Sequence, residues 1–221
     1  MTLYLLPNLL HPEADPKLSF VIGLEEIVNQ MDGFFVEHPK DARVYLKHFD
    51  FEKLKTKPME VLDKNTTNFV TLLQPLLLRG EKWGVISDAG LPCIADPGSK
   101  LVYGARDKNI NVVAIPGPSS IFLAIMLCGL ESQSFVFQGY LPRDCKVLKM
   151  PMLQVFIETP YNNEKSLERL LSNLQDENIL CIASDLTLPT QQVITKKVKW
   201  WKENHHKESF HKKPSIFLIK T

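Results

Sequence analysis

A strand-like run, Trp83 to Ile86, empties directly into Ser87-Asp88-Ala89-Gly90-Leu91-Pro92, and then into Ile94-Ala95-Asp96-Pro97-Gly98. Glycine lets backbone approach a ligand closely, and proline holds a loop in one shape. Asp88 and Asp96 bring acceptors for a ribose or an amine. About thirty residues on, a second strand-like run, Val112 to Ile115, ends in Pro116-Gly117-Pro118-Ser119-Ser120. Two such strand-end loops joined by one helix make a ligand cleft, because open α/β sheets bind ligands outside the carboxyl ends of their strands.

The rest of the pattern builds that sheet. Strand-like runs lie at Leu3 to Leu6 and Phe34 to Val36. Helical spacing lies at Leu18 to Met31, Ala42 to Phe49, Phe69 to Leu78 and Lys100 to Asp107. The alternation predicts an α/β domain with a largely parallel sheet. An apolar helix, Ile121 to Cys128, stops at Gly129. Beyond it, strand-like runs at Phe135 to Phe137, Leu153 to Ile157, Ile179 to Ala183, Gln192 to Thr195 and Ile216 to Ile219 surround one helix, Ser166 to Leu174. This half reads as richer in strands and poorer in helices, a second, α+β domain. We place the domains at 1–117 and 118–221, within the 221 residues that allow two small domains.

Charge and cysteines narrow the classes. The net charge of +1 makes the whole molecule no magnet for nucleic acid. Lys196 to Lys213 holds seven lysines against two acids, a charge of +5, leaving 19 basic to 23 acidic residues elsewhere, −4. That stretch reads either as a basic hairpin or loop facing an anionic partner or as a solvated loop. Trp200-Trp201 within it reads as an anchor to a core or a partner, or as a base-stacking pair. Cys93, Cys128, Cys145 and Cys181 form no C-x-x-C pair and have no zinc spacing, so they read as reduced thiols of a cytoplasmic protein. His205, His206 and His211 lack partner ligands nearby, and no metal site is expected. No signal peptide and no membrane-length apolar run is evident.

The motif Ser87-Asp88-Ala89-Gly90-x-Pro92-x-Ile94-x-Asp96-Pro97-Gly98, then Ile115-Pro116-Gly117-Pro118-Ser119, resembles the tetrapyrrole methylase superfamily of S-adenosylmethionine-dependent methyltransferases. Gly139-Tyr140-Leu141-Pro142 is similar to the G-F-L-P of its small-subunit ribosomal RNA 2′-O-ribose methyltransferase branch. Glu37, Arg43 and Leu46 match the spacing of that branch's E-D-T-R-x-x-R-x-L-L. Glu158-Thr159-Pro160 resembles its E-S-P-H-R, and Ala183-x-Asp185-Leu186-Thr187 its A-R-E-L-T-K. The chain departs from the branch at Pro7-Asn8-Leu9-Leu10-His11, where the branch has P-I-G-N. Asn162, Ser184 and Leu188 stand where it has basic residues, and its basic segment after G-F-L-P shrinks to Arg143-Asp144-Cys145-Lys146.

The resemblance implies two α/β domains, not of the Rossmann type, with the cofactor in the cleft between them and the chain a homodimer. No G-x-G-x-x-G loop follows any strand, which agrees with a non-Rossmann reading. It implies S-adenosyl-L-methionine contacts at Leu10, Ser87, Asp88, Ala89, Ile94, Ser119, Ser120, Ile157, Ser184 and Pro214. Glu37 is the candidate base or substrate-orienting group, and Arg43 the candidate for an anionic group on the substrate. Glu158 reads as a hydrogen-bonded acid with a structural role. Ribosomal RNA is the implied methyl acceptor. The same machinery acting on a tetrapyrrole, a small metabolite or a protein side chain is an open alternative. So is a catalytically silent module that binds cofactor or RNA.

Overall fold

The computed structural model describes residues 1–63, 66, 68–144, 147 and 149–221. Cys145 and Lys146, singled out above, lie outside the described residues. The chain divides into two compact units, Met1–Ser119 and Ser120–Thr221.

The first unit is a five-stranded sheet of β1 (Thr2–Leu6), β2 (Gly33–Val36), β3 (Met59–Val61), β4 (Lys82–Ile86) and β5 (Asn111–Ala114), in the order β3-β2-β4-β1-β5. Every pairing is parallel. A parallel sheet needs both faces covered, which is why its strands read as continuous apolar runs. Successive residues point to opposite faces. Thus Leu6, Phe34, Val36 and Ile86 join one core with α2 (Leu24–Val28), α3 (Pro39–Leu46) and α4 (Phe51–Leu54). Leu3, Phe35, Trp83 and Val85 join the other, with α5 (Phe69–Leu72), α6 (Gln74–Arg79) and α7 (Gly98–Asp107). All four loops of interest, after β1, β2, β4 and β5, leave the carboxyl ends of adjacent strands.

Two long helices expected from periodicity are broken in the structure. Leu18 to Met31 is α1 (Pro16–Ser19) and α2, separated by a bend at Gly23, whose φ of +90° lies in the left-handed region. Leu18 and Ile22, which supplied the helical spacing, are exposed. Phe69 to Leu78 is interrupted at Leu73, because Pro75 has no N–H for a continuing helix and starts a new one instead.

The second unit holds β6 (Phe135–Tyr140), β7 (Leu153–Glu158), β8 (Ile179–Ser184), β9 (Gln192–Lys197) and β10 (Ser215–Lys220), ordered β6-β7-β10-β8-β9. Only β6 and β7 run parallel; the other three pairings are antiparallel. Among the described residues each unit therefore has five strands. The second differs in helices, with α8 (Ser120–Leu127), α9 (Asn163–Asn173) and α10 (Val198–Asn204) among the described residues. Leu167, Leu170 and Leu171 of α9 and Val198 and Trp201 of α10 cover Phe156, Ile182 and Phe217 of the sheet.

The lysine-rich stretch is thus no hairpin or loop at its centre. Val198 and Trp201, three residues apart, share one helical face and bury it. Trp201 is fully buried and its Nε1–H donates to the Leu180 carbonyl at 2.9 Å. Lys196 Nζ lies 5.8 Å from the Trp200 ring centre. Among the described residues no helix is long and apolar enough to cross a membrane. Replacing Trp201 by Ala removes a large buried side chain and leaves the Leu180 carbonyl without this donor. We expect a loss of about 3–5 kcal/mol, read as a lowered urea midpoint by circular dichroism.

Candidate functional site

In the first unit the site is built by fastening one loop to another. Asn8, buried just after β1, donates from Nδ2 to the carbonyls of Ser87 at 2.9 Å and Asp88 at 3.1 Å. Its Oδ1 accepts from the Leu9 amide at 2.8 Å. The backbones complete the junction, with the Asn8 amide donating to the Gly90 carbonyl at 2.8 Å and the Gly90 amide to the Leu9 carbonyl at 3.1 Å. Ser87 is buried and its hydroxyl donates to the Ala89 carbonyl at 3.1 Å. The loop after β5 closes on the same place. A Cβ on Gly117 would stand 2.1 Å from Pro7 Cβ, so only glycine fits there. A Cβ on Gly90 would stand 3.0 Å from the Leu10 side chain and 3.3 Å from the Pro118 carbonyl.

The loop that follows is strained and capped. Cys93 and Ala95 have φ of 71° and 62°, values that non-glycine residues rarely adopt. Asp96 holds them there, its carboxylate accepting from the amides of Cys93 at 2.7 Å and Gly98 at 2.9 Å. Strain of this kind collects at binding loops because the surroundings over-determine it. Between these two residues Ile94 projects into solvent, 43% exposed. Burial raises the Cys93 thiol to about 12, so it is no nucleophile near neutral pH.

A cluster of titratable groups stands beside this loop. Glu37 follows β2 and accepts from the Asp88 amide at 3.3 Å. Its pKa is raised, first by burial and further by the charges of Asp88 and Asp96, against the pull of the Asp88 amide and His38. Burial also raises Asp96, opposed by its two amides and reinforced by Asp88. His38 Nδ1 lies 2.6 Å from Asp88 Oδ2. His38, Asp41 and Asp88 bring one ligand atom each to within 4.8 Å of the others, all on exposed side chains. Arg43 lies on the exposed side of α3, where its Nη1 donates to the Pro39 carbonyl at 3.4 Å.

The remaining expected contacts fall at the junction or in the second unit. Ser119 ends the first unit and Ser120 opens α8. In the second unit, pairing of β10 with both β7 and β8 sets Ile157, Ser184 and Pro214 at one end of the sheet. Ser184 is buried and its hydroxyl shares a hydrogen bond with Ser215 at 2.9 Å, so a ligand would meet its backbone rather than its side chain. The exposed Pro214 accepts from the Asp185 amide at 3.0 Å. Glu158 accepts from the Thr159 amide at 2.7 Å and the Ser166 hydroxyl at 2.6 Å. Asn8 and His38 were missed by sequence reasoning. The signal for each was a polar residue two positions beyond the end of a strand.

The parallel first sheet thus carries this loop junction at its carboxyl edge. The chain belongs to the Tetrapyrrole (Corrin/Porphyrin) Methylases, whose family model matches residues 25–199. It is 33% identical over 189 residues to the Ribosomal RNA small subunit methyltransferase I of Streptococcus pyogenes serotype M3, covering 82% of this chain and 63% of that protein. The Thermotoga maritima protein of the same name is 32% identical over 176 residues, 76% of this chain and 74% of that one. The chain thus spans about 63% of the length of the first of these relatives. Among solved structures, diphthine synthase superposes with a TM-score of 0.70 at 14% identity, covering 100% of this chain and 89% of that one. Uroporphyrin-III-C-methyltransferase from Thermus thermophilus gives 0.60 at 15%, covering 99% and 94%.

The His38–Asp88 pair makes a pH prediction. The hydrogen bond to Asp88, and then its charge, raise His38 above its ordinary 6.5. A raised folded-state pKa gives stability fully present below 6.5 and lost as pH rises through the folded value. Solvent screening keeps that contribution small. An NMR titration of His38 is expected to give a midpoint above 6.5 in the wild type, and Asp88→Asn to return it to the ordinary range. Equal midpoints in the two proteins would mean the pair does not form in solution.

Proposed function

We propose that this chain is an S-adenosylmethionine-dependent methyltransferase acting on ribosomal RNA at a ribose 2′-hydroxyl. Membership of the methylase family supports the reaction class, and the name of these relatives supports the acceptor. The observation that carries the cofactor reading is the loop junction at the carboxyl edge of the first sheet, where Asn8 holds the 87–90 backbone in place. The residues fit the cofactor chemically. Asp88 offers a carboxylate to the ammonium of its amino-acid tail, and Ala89, Leu10 and Ser87 shape the floor. Ile94 offers an exposed apolar face to the adenine, and the half-buried Ile157 of the second unit is a further expected apolar contact. Ser119 and Ser120 offer hydroxyls and amides to the tail carboxylate, and Ser184 and Pro214 offer backbone groups. The functional domains of this reading are 1–117 and 118–221, in a cytoplasmic homodimer.

When bound, the cofactor supplies a methyl group already activated on a sulfonium, so the protein's work is mainly alignment. Holding reactants at about 3–3.5 Å in line supplies several kcal/mol. Glu37 takes the proton of the attacking hydroxyl in this reading. Its raised pKa makes it a stronger base than an ordinary carboxylate. Arg43 meets a phosphate of the acceptor.

Calorimetric titration with S-adenosylhomocysteine tests the cofactor site. Micromolar binding is expected for the wild type and its loss for Asp88→Ala; a folded wild type that binds nothing would contradict the reading. Glu37→Gln is expected to keep cofactor affinity and lower transfer of labelled methyl to small-subunit RNA by about 10²–10⁴-fold. Label that appears instead in protein or in small molecules would move the acceptor to one of those classes.

A further inference from the structure

The second unit contains a groove of about 600 Å³ that none of the expected cofactor contacts uses. One wall is the end of β6 and the segment after it, with Tyr140 and Arg143; the other is the start and outer face of α9, with Asn162, Lys165 and Arg169; Glu158, the last residue of β7, lines it too. The walls are fastened together. Arg169 Nη1 donates to the Arg143 carbonyl at 3.2 Å, and Asn173 Nδ2 to the Asp144 carbonyl at 3.0 Å. Lys165 and Arg169 are four residues apart and so share one face of α9.

Charge decides what such a groove accepts. Arg143, Lys165 and Arg169 are exposed, and among the described residues none of them forms an ion pair. The Glu158 carboxylate that lines the groove is already engaged by the Thr159 amide and the Ser166 hydroxyl. Three cations against one occupied carboxylate favour an anion. Tyr140, 60% exposed, adds an aromatic ring beside them. Cations spaced along a channel with an aromatic platform are the combination that holds a single nucleic-acid strand, phosphates on the cations and a base on the ring. The volume lies within the range of small-ligand sites and leaves room for a nucleotide.

We propose that this groove is a strand-holding subsite for single-stranded RNA, with Arg143, Lys165 and Arg169 on successive phosphates and Tyr140 stacked on a base. It rests on the RNA-acceptor reading above. It also bears on the chain's departure from the E-S-P-H-R pattern. Where that pattern ends in arginine this chain has Asn162, and Lys165 brings a cation to the same wall, about 4.5 Å further along the helix axis.

The test is fluorescence anisotropy with a labelled single-stranded fragment of small-subunit ribosomal RNA, run across a salt series on the full chain. Each phosphate contact to a single strand adds about 0.7 to the slope of log K against log salt, so Lys165→Ala/Arg169→Ala is expected to lower that slope by about 1.4 and weaken low-salt binding at least about tenfold. Lys165→Arg is expected to keep the slope. Tyr140→Ala is expected to weaken binding about tenfold and leave the slope alone, because stacking carries no counterions. S-adenosylhomocysteine affinity is expected to be unchanged in all three, which reports intact folding. Wild-type binding to RNA with an unchanged slope and affinity in the double variant would overturn the groove alone. A wild type that binds cofactor but no RNA would overturn both the groove and the RNA-acceptor reading.

Discussion

The amide of Asn8 joins two segments that the sequence keeps far apart. It reaches carbonyls 79 and 80 residues further along the chain, and the backbones of Asn8, Leu9 and Gly90 complete the bond. Buried carbonyls at a strand end must be paired, and an unmet one costs about 1–3 kcal/mol. By supplying both donors at once, Asn8 sets the path of residues 87–90. Everything downstream follows from that path: the amide of Asp88 toward Glu37, its carboxylate toward His38, and the turn that carries Ile94 outward. The sheet makes this possible. β1 and β4 are neighbours in parallel register, so their carboxyl ends, and the loops beyond them, emerge side by side.

Much of this was legible in the residues. Strands buried on both faces appear as short apolar runs, and β2 and β4 announced themselves in that way; β1 and β5, less deeply buried, still carry short apolar runs. The loops after β4 and β5 were legible because glycine, proline and acids at a strand end have few other uses. The strand-poor segments were harder. β3 is three residues with two of them exposed, which leaves almost no pattern to read. The run from Leu18 to Met31 has helical spacing, yet Leu18 and Ile22 face solvent and Gly23 turns the chain between two short helices. Periodicity reports spacing, not burial. Lysines hid α10, whose buried face is only Val198 and Trp201.

The site was legible in part. Asp88, Glu37 and Ser87 are brought together at the carboxyl edge of the first sheet, as their positions beyond strands imply. Asn8 escaped notice because its role consists of bonds to backbone, which no side-chain motif records. His38 escaped because a histidine beside a helix-starting proline looks like surface. Ser184 shows the reverse case, a motif position whose hydroxyl belongs to the fold through Ser215. The basic groove was also out of reach of a motif, since Tyr140, Arg143, Lys165 and Arg169 meet only when the end of β6 and the segment after it lie against α9. A net charge of +1 conceals it, because cations gathered in one groove are offset by acids elsewhere.

The central claim is that the junction held by Asn8 forms the floor of a cofactor site. A crystal structure of the chain with S-adenosylhomocysteine tests it most directly. The account predicts ligand density against the backbone of residues 87–90 and 116–119, with the Asp88 carboxylate on the amino-acid tail and Ile94 against the adenine. Density lodged elsewhere, with the 87–98 loop untouched, would contradict it.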